Sequence, residues 1–525
     1  MHSIRWMTRA VVVAAAMALA PGLASAQTTL RAVKHSDLKV IDPVWTTAYI
    51  VRNHGYMIYD TLLALDSKLQ VQPQMVEGWT VAEDKVTYTF KLRDGLEWHD
   101  GQPVTSADVI PSIKRWGTRD PLGQLMMKVV KDMAAVDAST FRIVLTEPSG
   151  LLLMGLSKPS GPAFIMPKRV AETDPFTQLS DTTGSGPFIF KKDEWKPGDK
   201  TVYVKNPKYK PRSEPPSGLA GGKVAKVDRV EWVAMSDQQT VVNALINGEI
   251  DLIESPQFDL FPLFAKDQNI ELVNTNPLGL QYMFRFNVLH KPFDNPKIRQ
   301  AMLYAFNQED FLKGVIGDPK YYRTCKAMFM CNTPLASTKG WEDKFTSNID
   351  KAKELLKEGG YDGTPVVLLG TTDLFVLNNL APVAKSLMER AGMKVDMQQM
   401  DWSTLVARRA KKEPPPVGWN ALLTAAASVD LVNPLVNTFV NAACDGAWFG
   451  WACDEKLVAL RADFARATDP AKQKEIAEAI QLRVVEYPTH VFLGEWVQPM
   501  ARRKSVSGNI ESAVPVFWNI EKKGR

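Results

Sequence analysis

"VVLLGTTDLFVLNNLAPVAKSLMERAGMKVDM", residues 366–397, decides the fold class. Its first five residues form an unbroken aliphatic run ending in glycine, the pattern of a buried strand. From residue 380 the period changes. Leu380, Val383, Ala384, Leu387, Met388 and Ala391 recur at steps of three and four, so they share one face of a helix. Gly392 stops that helix, and Val395 and Met397 begin a second strand. Strand, helix, strand is a βαβ unit with parallel pairing, which predicts an α/β architecture.

Outward from this unit, "DNPKIRQAMLYAF" (294–306) repeats the helical pattern through Ile298, Ala301, Met302, Ala305 and Phe306, with Asn295 as cap and Pro296 in the first turn. "KVTYTFKLRDGLEWHDG" (85–101) alternates like a strand and turns at Asp94-Gly95, which predicts a hairpin whose second arm carries Leu96 and Trp98. Thr105 and Asp108 then stand in capping-box spacing before another helix. The stretches 211–223 and 411–416 are rich in proline and glycine and read as exposed loops. The glycines of "TTGSGPFIFKKDEW" (182–195) precede Pro187 and a β-prone run, so they predict a turn into a strand rather than a phosphate cradle.

The first 26 residues read as a secretion leader. Arg5 and Arg9 precede an apolar run at 10–20. Pro21 and Gly22 break it, and the small residues ending at Ala26 place cleavage before Gln27. The run is short of the ~20 residues a spanning helix needs. No cysteine sits at the cleavage point and no paired arginines precede the run, so an unlipidated, periplasmic protein is expected. Removing 26 residues from 525 leaves 499, and losing two arginines and no acids lowers the formal charge from +5 to +3. That near balance offers no basis for a nucleic-acid partner. Single cores stop growing near ~250–300 residues, so two or more lobes are expected.

The four cysteines form two close pairs, Cys325 with Cys331 and Cys444 with Cys453. In an oxidising compartment such pairs favour disulfides, and the gaps are wide for a structural zinc site. Trp448, Phe449 and Trp451 lie between the second pair, as a satellite core or as a wall of a binding cleft. The five histidines of the exported chain, at 35, 54, 99, 290 and 490, include no H-E-x-x-H arrangement, and no G-x-S-x-G elbow occurs. A binding protein without a cofactor is therefore expected, an exported hydrolase with a scattered site being the rival.

Four further stretches, in order, resemble a known family. "VQPQMVEGWTVAEDKVTYTFKLRDGLEWHDGQPVTSADV" (71–109), "TGSGPFIFKKDEWKPGDKTVYVKNPKY" (183–209), "NVLHKPFDNPKIRQAMLYAFNQEDF" (287–311) and "KAKELLKEGGYDG" (351–363) are similar to signature runs of the family 5 extracytoplasmic solute-binding proteins of peptide and nickel ABC transporters. The resemblance implies two α/β lobes joined by two crossings, with an extra subdomain in the first lobe. The expected boundaries are 27–275 completed by 492–525 for the first lobe and 276–491 for the second. It also implies a ligand enclosed between the lobes by hinge closure, and delivery by a monomer to permease subunits with their ATPases.

The resemblance also gives a meaning to "AAASVDLVNP" (425–434). Its Asp430 matches the aspartate that pairs with a peptide's terminal ammonium in dipeptide and oligopeptide receptors. On its own residues, Asp430 reads first as a turn-former ahead of Asn433-Pro434. The chain departs from the family where Asn433 replaces a second aspartate. No arginine for a dipeptide carboxylate stands in the first turns of the 380–391 helix. A peptide or peptide-like amine is expected as ligand, with a metal chelate, an opine-like conjugate or an oligosaccharide as alternatives. The expected contacts are Asp430, then Trp448 and Trp451, then Trp45 and Tyr49, which follow the first strand.

Overall fold

The computed structural model describes residues 27–523, so the expected leader with Ala26 lies outside the described residues. The 366–397 unit forms as its periodicity predicts. Strand Val366–Thr371 leads through helix Leu380–Arg390 to strand Val395–Met400, which pairs with the first in parallel register from Val366 opposite Val395. Gly392 ends the helix at φ +97°, a backbone region that costs glycine little.

This unit is one edge of a six-stranded mixed sheet. Its spatial order is Tyr322–Arg323, His490–Trp496, Leu280–Phe286, Ala421–Ala427, Val366–Thr371, Val395–Met400. Leu280–Phe286 sits at its centre, antiparallel to strands on both sides, and is almost wholly buried. Helix Pro296–Ala305 is capped by Asn295, whose side chain accepts from the Lys297 amide at 2.9 Å. Phe284, Phe286, Phe293 and Phe306 meet edge-to-face between that helix and the sheet. Strand His490–Trp496 stays in this sheet through Trp496, five residues beyond the break expected after residue 491.

A second sheet of seven strands is built from Thr29–Val33, Phe188–Phe190, Lys200–Lys205, Arg229–Val233, Leu252–Ile253, Ile270–Val273 and, returning from the far end of the chain, Met500–Arg503. Residues 76–145 add a four-stranded antiparallel sheet, the extra subdomain of a two-lobed fold. The expected hairpin at Asp94-Gly95 is not formed. Thr87–Leu92 pairs instead with Val76–Val81 and with Thr140–Leu145. The hairpin lies one strand earlier, at 82–86, because Val76–Val81 offers a longer edge than the four residues between the two Asp-Gly pairs. Those four lie in a small loop of their own, bridged from Glu97 to Pro103.

The Thr105–Asp108 capping box is present, the Thr105 amide donating to Asp108 Oδ2 at 2.8 Å. The 211–223 stretch corrects the expectation of an exposed loop. Its second half is buried around an ion pair between Lys223 and Asp60 at 2.6 Å, a charge that reaches the interior only because its partner is already there. Both cysteine pairs are disulfides. No helix among the described residues is long and apolar enough to cross a membrane.

Candidate ligand-binding cleft

A cleft that opens to solvent is lined by residues of both large sheets and their flanking segments. One wall comes from the chain after the first strand: Thr47, Tyr49 and Arg52, the last two on helix Tyr49–Ile58. The end of that helix is held by the glycines of 182–195. The Gly186 amide donates to the Ile58 carbonyl at 2.9 Å, and a Cβ at Gly184 would lie 1.8 Å from the same oxygen. That close approach is what the glycines are for.

The opposite wall comes from strand Ala421–Ala427 and the single turn Ser428–Asp430. Ser428 Oγ donates to the carbonyls of Leu278 and Gly279 at 2.6 and 2.7 Å, which fixes the turn where the chain enters the central strand. The two walls meet at one oxygen. Tyr49 OH donates to Asp430 Oδ2 at 2.7 Å and accepts from the Ala427 amide at 2.8 Å. Burial, then the neighbouring carboxylate, pushes the Tyr49 phenol far above its ordinary range, so it is a proton donor throughout.

Trp448 closes a third side. It lies in the loop tied by Cys444–Cys453, and Arg285 holds that loop from inside the sheet. The Arg285 guanidinium donates to the carbonyls of Phe449, Trp448, Phe439 and Thr489 at 2.8 to 3.1 Å. Trp451 does not line the cleft. Residues 448 and 451 end one tight turn, the Trp451 amide donating to the Trp448 carbonyl, and Trp451 faces Trp419 and the Lys412 ammonium. Trp45 is also outside the lining. It sits in a turn closed onto Asp42 and stacks on Arg119, whose guanidinium is 4.8 Å from its ring centre and also donates to its carbonyl.

Of the cleft's acids, two are already matched. Asp120 pairs with Lys158 at 2.7 Å. Glu254 meets Lys34 and His35, each at 2.9 Å; burial works against its ionisation, yet these partners hold its carboxyl well below the usual range. Asp430 is different: among the described residues no cation pairs with it, and its one side-chain partner is a neutral phenol. His35 is the histidine in the lining, already engaged by Glu254. Cys325, Cys331 and Glu495 lie close enough to suggest a metal site, but the two sulfurs are spent in a disulfide. Sequence reasoning missed Arg409, which lines the cleft from the end of helix Trp402–Arg408. In "ARRAKKEPPP" it reads as one cation of a solvated run.

Residues 70–436 match the family model of bacterial extracellular solute-binding proteins, family 5 middle. The chain is 39% identical over 532 positions, 99% of each chain, to the "Probable peptide ABC transporter periplasmic-binding protein y4tO" of Sinorhizobium fredii. Among solved structures it is similar to AgaA of A. tumefaciens R10 in complex with agropinic acid (TM-score 0.81, 22% identity, 95% of this chain and 99% of that one). It is also similar to the periplasmic binding protein DppA of Helicobacter pylori in complex with the peptide STSA (TM-score 0.79, 20% identity, 95% and 99%). Four signature runs, the two-sheet cleft and a family match over most of the length converge: the chain belongs to the bacterial extracellular solute-binding proteins of family 5.

Proposed function

We propose that this chain is the periplasmic receptor of an ABC importer and that it carries a peptide or peptide-like solute through an amine held by Asp430. The observation that carries the reading is the unpaired carboxylate. Asp430 stands half-buried in the cleft with its neighbouring acids neutralised and itself unmatched. A charge-assisted bond to an ammonium is short and about twice as strong as a neutral one, which suits such a group. Tyr49 supports it by fixing the carboxylate's orientation, and Trp448 supplies a flat apolar face beside it. The S. fredii relative and the H. pylori complex fit the same chemistry.

The lobes in this reading turn about two crossings, 274–279 and 497–499, the stretches between the last strand of one sheet and the first of the other. Closure brings Tyr49 and Thr47 of the first lobe against Asp430 and Trp448 of the second, and the solute biases the equilibrium by contacting both. The closed form is a monomer exported by its cleaved leader, and it docks on permease subunits driven by separate ATPases. No covalent step is involved.

Non-denaturing mass spectrometry of untreated protein tests the reading first: the retained solute is expected to carry a protonatable amine. Calorimetry with that solute on wild type and Asp430→Asn is expected to show at least roughly 10-fold weaker binding, since a hydrogen bond to a charged group contributes about 1.5–3 kcal/mol. Equal affinities would remove Asp430 from the site.

A further inference from the structure

Six arginines among the described residues are buried, and all but one have their charge answered within the protein. Arg115 pairs with Asp42 at 2.9 Å and also donates to backbone carbonyls. Arg285 donates to four carbonyls, Arg299 to three and Arg461 to two. Arg52 spends both Nε and Nη2 on Asn53 Oδ1 and Nη1 on Ser160 Oγ. Arg409 is the exception. It is 2% exposed and, among the described residues, its side chain forms no ion pair and donates one hydrogen bond, from Nη2 to the Thr47 hydroxyl at 3.1 Å. Its Nε is buried with no partner among the described residues.

The surroundings of Arg409 explain how the cation is tolerated without explaining what it is for. Its guanidinium carbon lies 4.9 Å from the Phe449 ring centre, 5.3 Å from Trp448 and 5.7 Å from Trp402. Three aromatic faces soften a buried charge but do not replace a hydrogen-bonding counter-ion. Burial pulls the group down only to about 10, so it remains cationic at neutral pH. It also lines the same cleft as Asp430, and both hang on one short stretch of the opposite wall: Thr47 touches Arg409, and Tyr49 touches Asp430.

We propose that Arg409 is the anion subsite of the cleft, receiving a carboxylate, or an oxyanion of like charge, on the same solute whose amine meets Asp430. The inference rests on the reading of Asp430 given above and narrows it. The cargo is dipolar, with a positive and a negative group placed to straddle residues 47–49. A guanidinium fork suits a planar carboxylate in a way a point charge does not. A neutral oligosaccharide would leave both protein charges unmatched in a closed cleft, and a simple amine would leave one. The arginine missing from the 380–391 helix is then supplied from a different element, 19 residues beyond the end of helix Leu380–Arg390.

The test is calorimetry with two peptides, Met-Leu and Ser-Thr-Ser-Ala, each as the free acid and as the C-terminal amide. The amide keeps the amine for Asp430 and removes the negative charge. Wild type is expected to bind the acid of at least one peptide 10-fold or more tightly than its amide. Arg409→Met is expected to lose that preference and bind both forms with the affinity wild type shows for the amide. Arg409→Lys, which keeps the charge without the fork, is expected to recover part of it. Thermal melts serve as the folding control: unliganded Arg409→Met should melt at or above the wild-type temperature, because an unanswered buried charge has been removed. Equal binding of acid and amide by wild type, or an undiminished acid preference in a folded Arg409→Met, overturns the subsite and leaves the Asp430 reading standing. Binding of neither form of either peptide by wild type overturns the peptide reading, and this inference with it.

Discussion

One phenol joins the two walls of the cleft, and its removal separates orientation from charge. Tyr49 OH both donates to Asp430 and accepts from the Ala427 amide. Tyr49→Phe removes both bonds while leaving the carboxylate in place. The cost of one lost bond to a charged group is about 1.5–3 kcal/mol. Calorimetry should therefore show amine affinity falling by roughly 10-fold or more. The effect should be strongly non-additive with Asp430→Asn, as expected for residues in direct contact. A residue far from the cleft gives a contrasting case. Asp60 neutralises Lys223 in the interior and also accepts from the half-buried Tyr209. Asp60→Ala strands the ammonium, and urea titration should show about 3–5 kcal/mol lost with solute affinity unchanged in the folded fraction. At this scale the sequence showed Asp430, because a lone acid among alanines stands out. It hid Arg409 and Lys223, because burial of a cation depends on which rings and carboxylates the fold brings to it, and both sit in stretches that read as solvated.

The elements explain why that division fell where it did. Helices with a regular stripe, Pro296–Ala305 and Leu380–Arg390, form as periodicity predicts, since one apolar face must meet one sheet. Strand pairing is less local: Thr87–Leu92 was legible as a strand, but its partners lie on either side of it in space, and the Asp-Gly turn that pointed to a hairpin closes a smaller loop. The same non-locality hid the function of 182–195. Its glycines were legible as a turn, yet their need for a bare backbone comes from Ile58, more than a hundred residues earlier. Gly184→Ala would push a methyl into the Ile58 carbonyl and shift the helix that carries Tyr49 and Arg52. Overpacking of this kind costs about 1–3 kcal/mol. The expected result is a lower denaturation midpoint together with weaker solute binding, measured by urea titration and calorimetry on one preparation. A midpoint shift with unaltered affinity would show that the glycine supports the lobe without positioning the site. The Cys444–Cys453 loop predicts a parallel outcome: a Cys444→Ser, Cys453→Ser double variant frees the chain that carries Trp448, and solute affinity should fall along with stability.

At the scale of the whole molecule, pH acts through buried histidines, most strongly His54 and His490. His54 and His490 are fully buried, one in each lobe's interior. Burial lowers both to about 3. In the unfolded chain each titrates near its ordinary value of about 6.5. Between about 3 and 6.5 the unfolded state therefore binds protons that the folded state refuses, so stability rises with pH across that window and is lost as pH falls through it. At pH 5 each group has given up about 2 kcal/mol relative to pH 7.5, or roughly 4 kcal/mol for the pair. Denaturant titrations at the two pH values measure that difference. Because His54 hydrogen-bonds Tyr203 in one sheet's core and His490 packs on Phe439 behind the Trp448 loop, the two lobes lose stability separately. His490→Gln should flatten the pH dependence of only part of the unfolding signal. A single transition whose slope is unchanged in that variant would mean the buried imidazole is protonated in the folded state as readily as in the unfolded one.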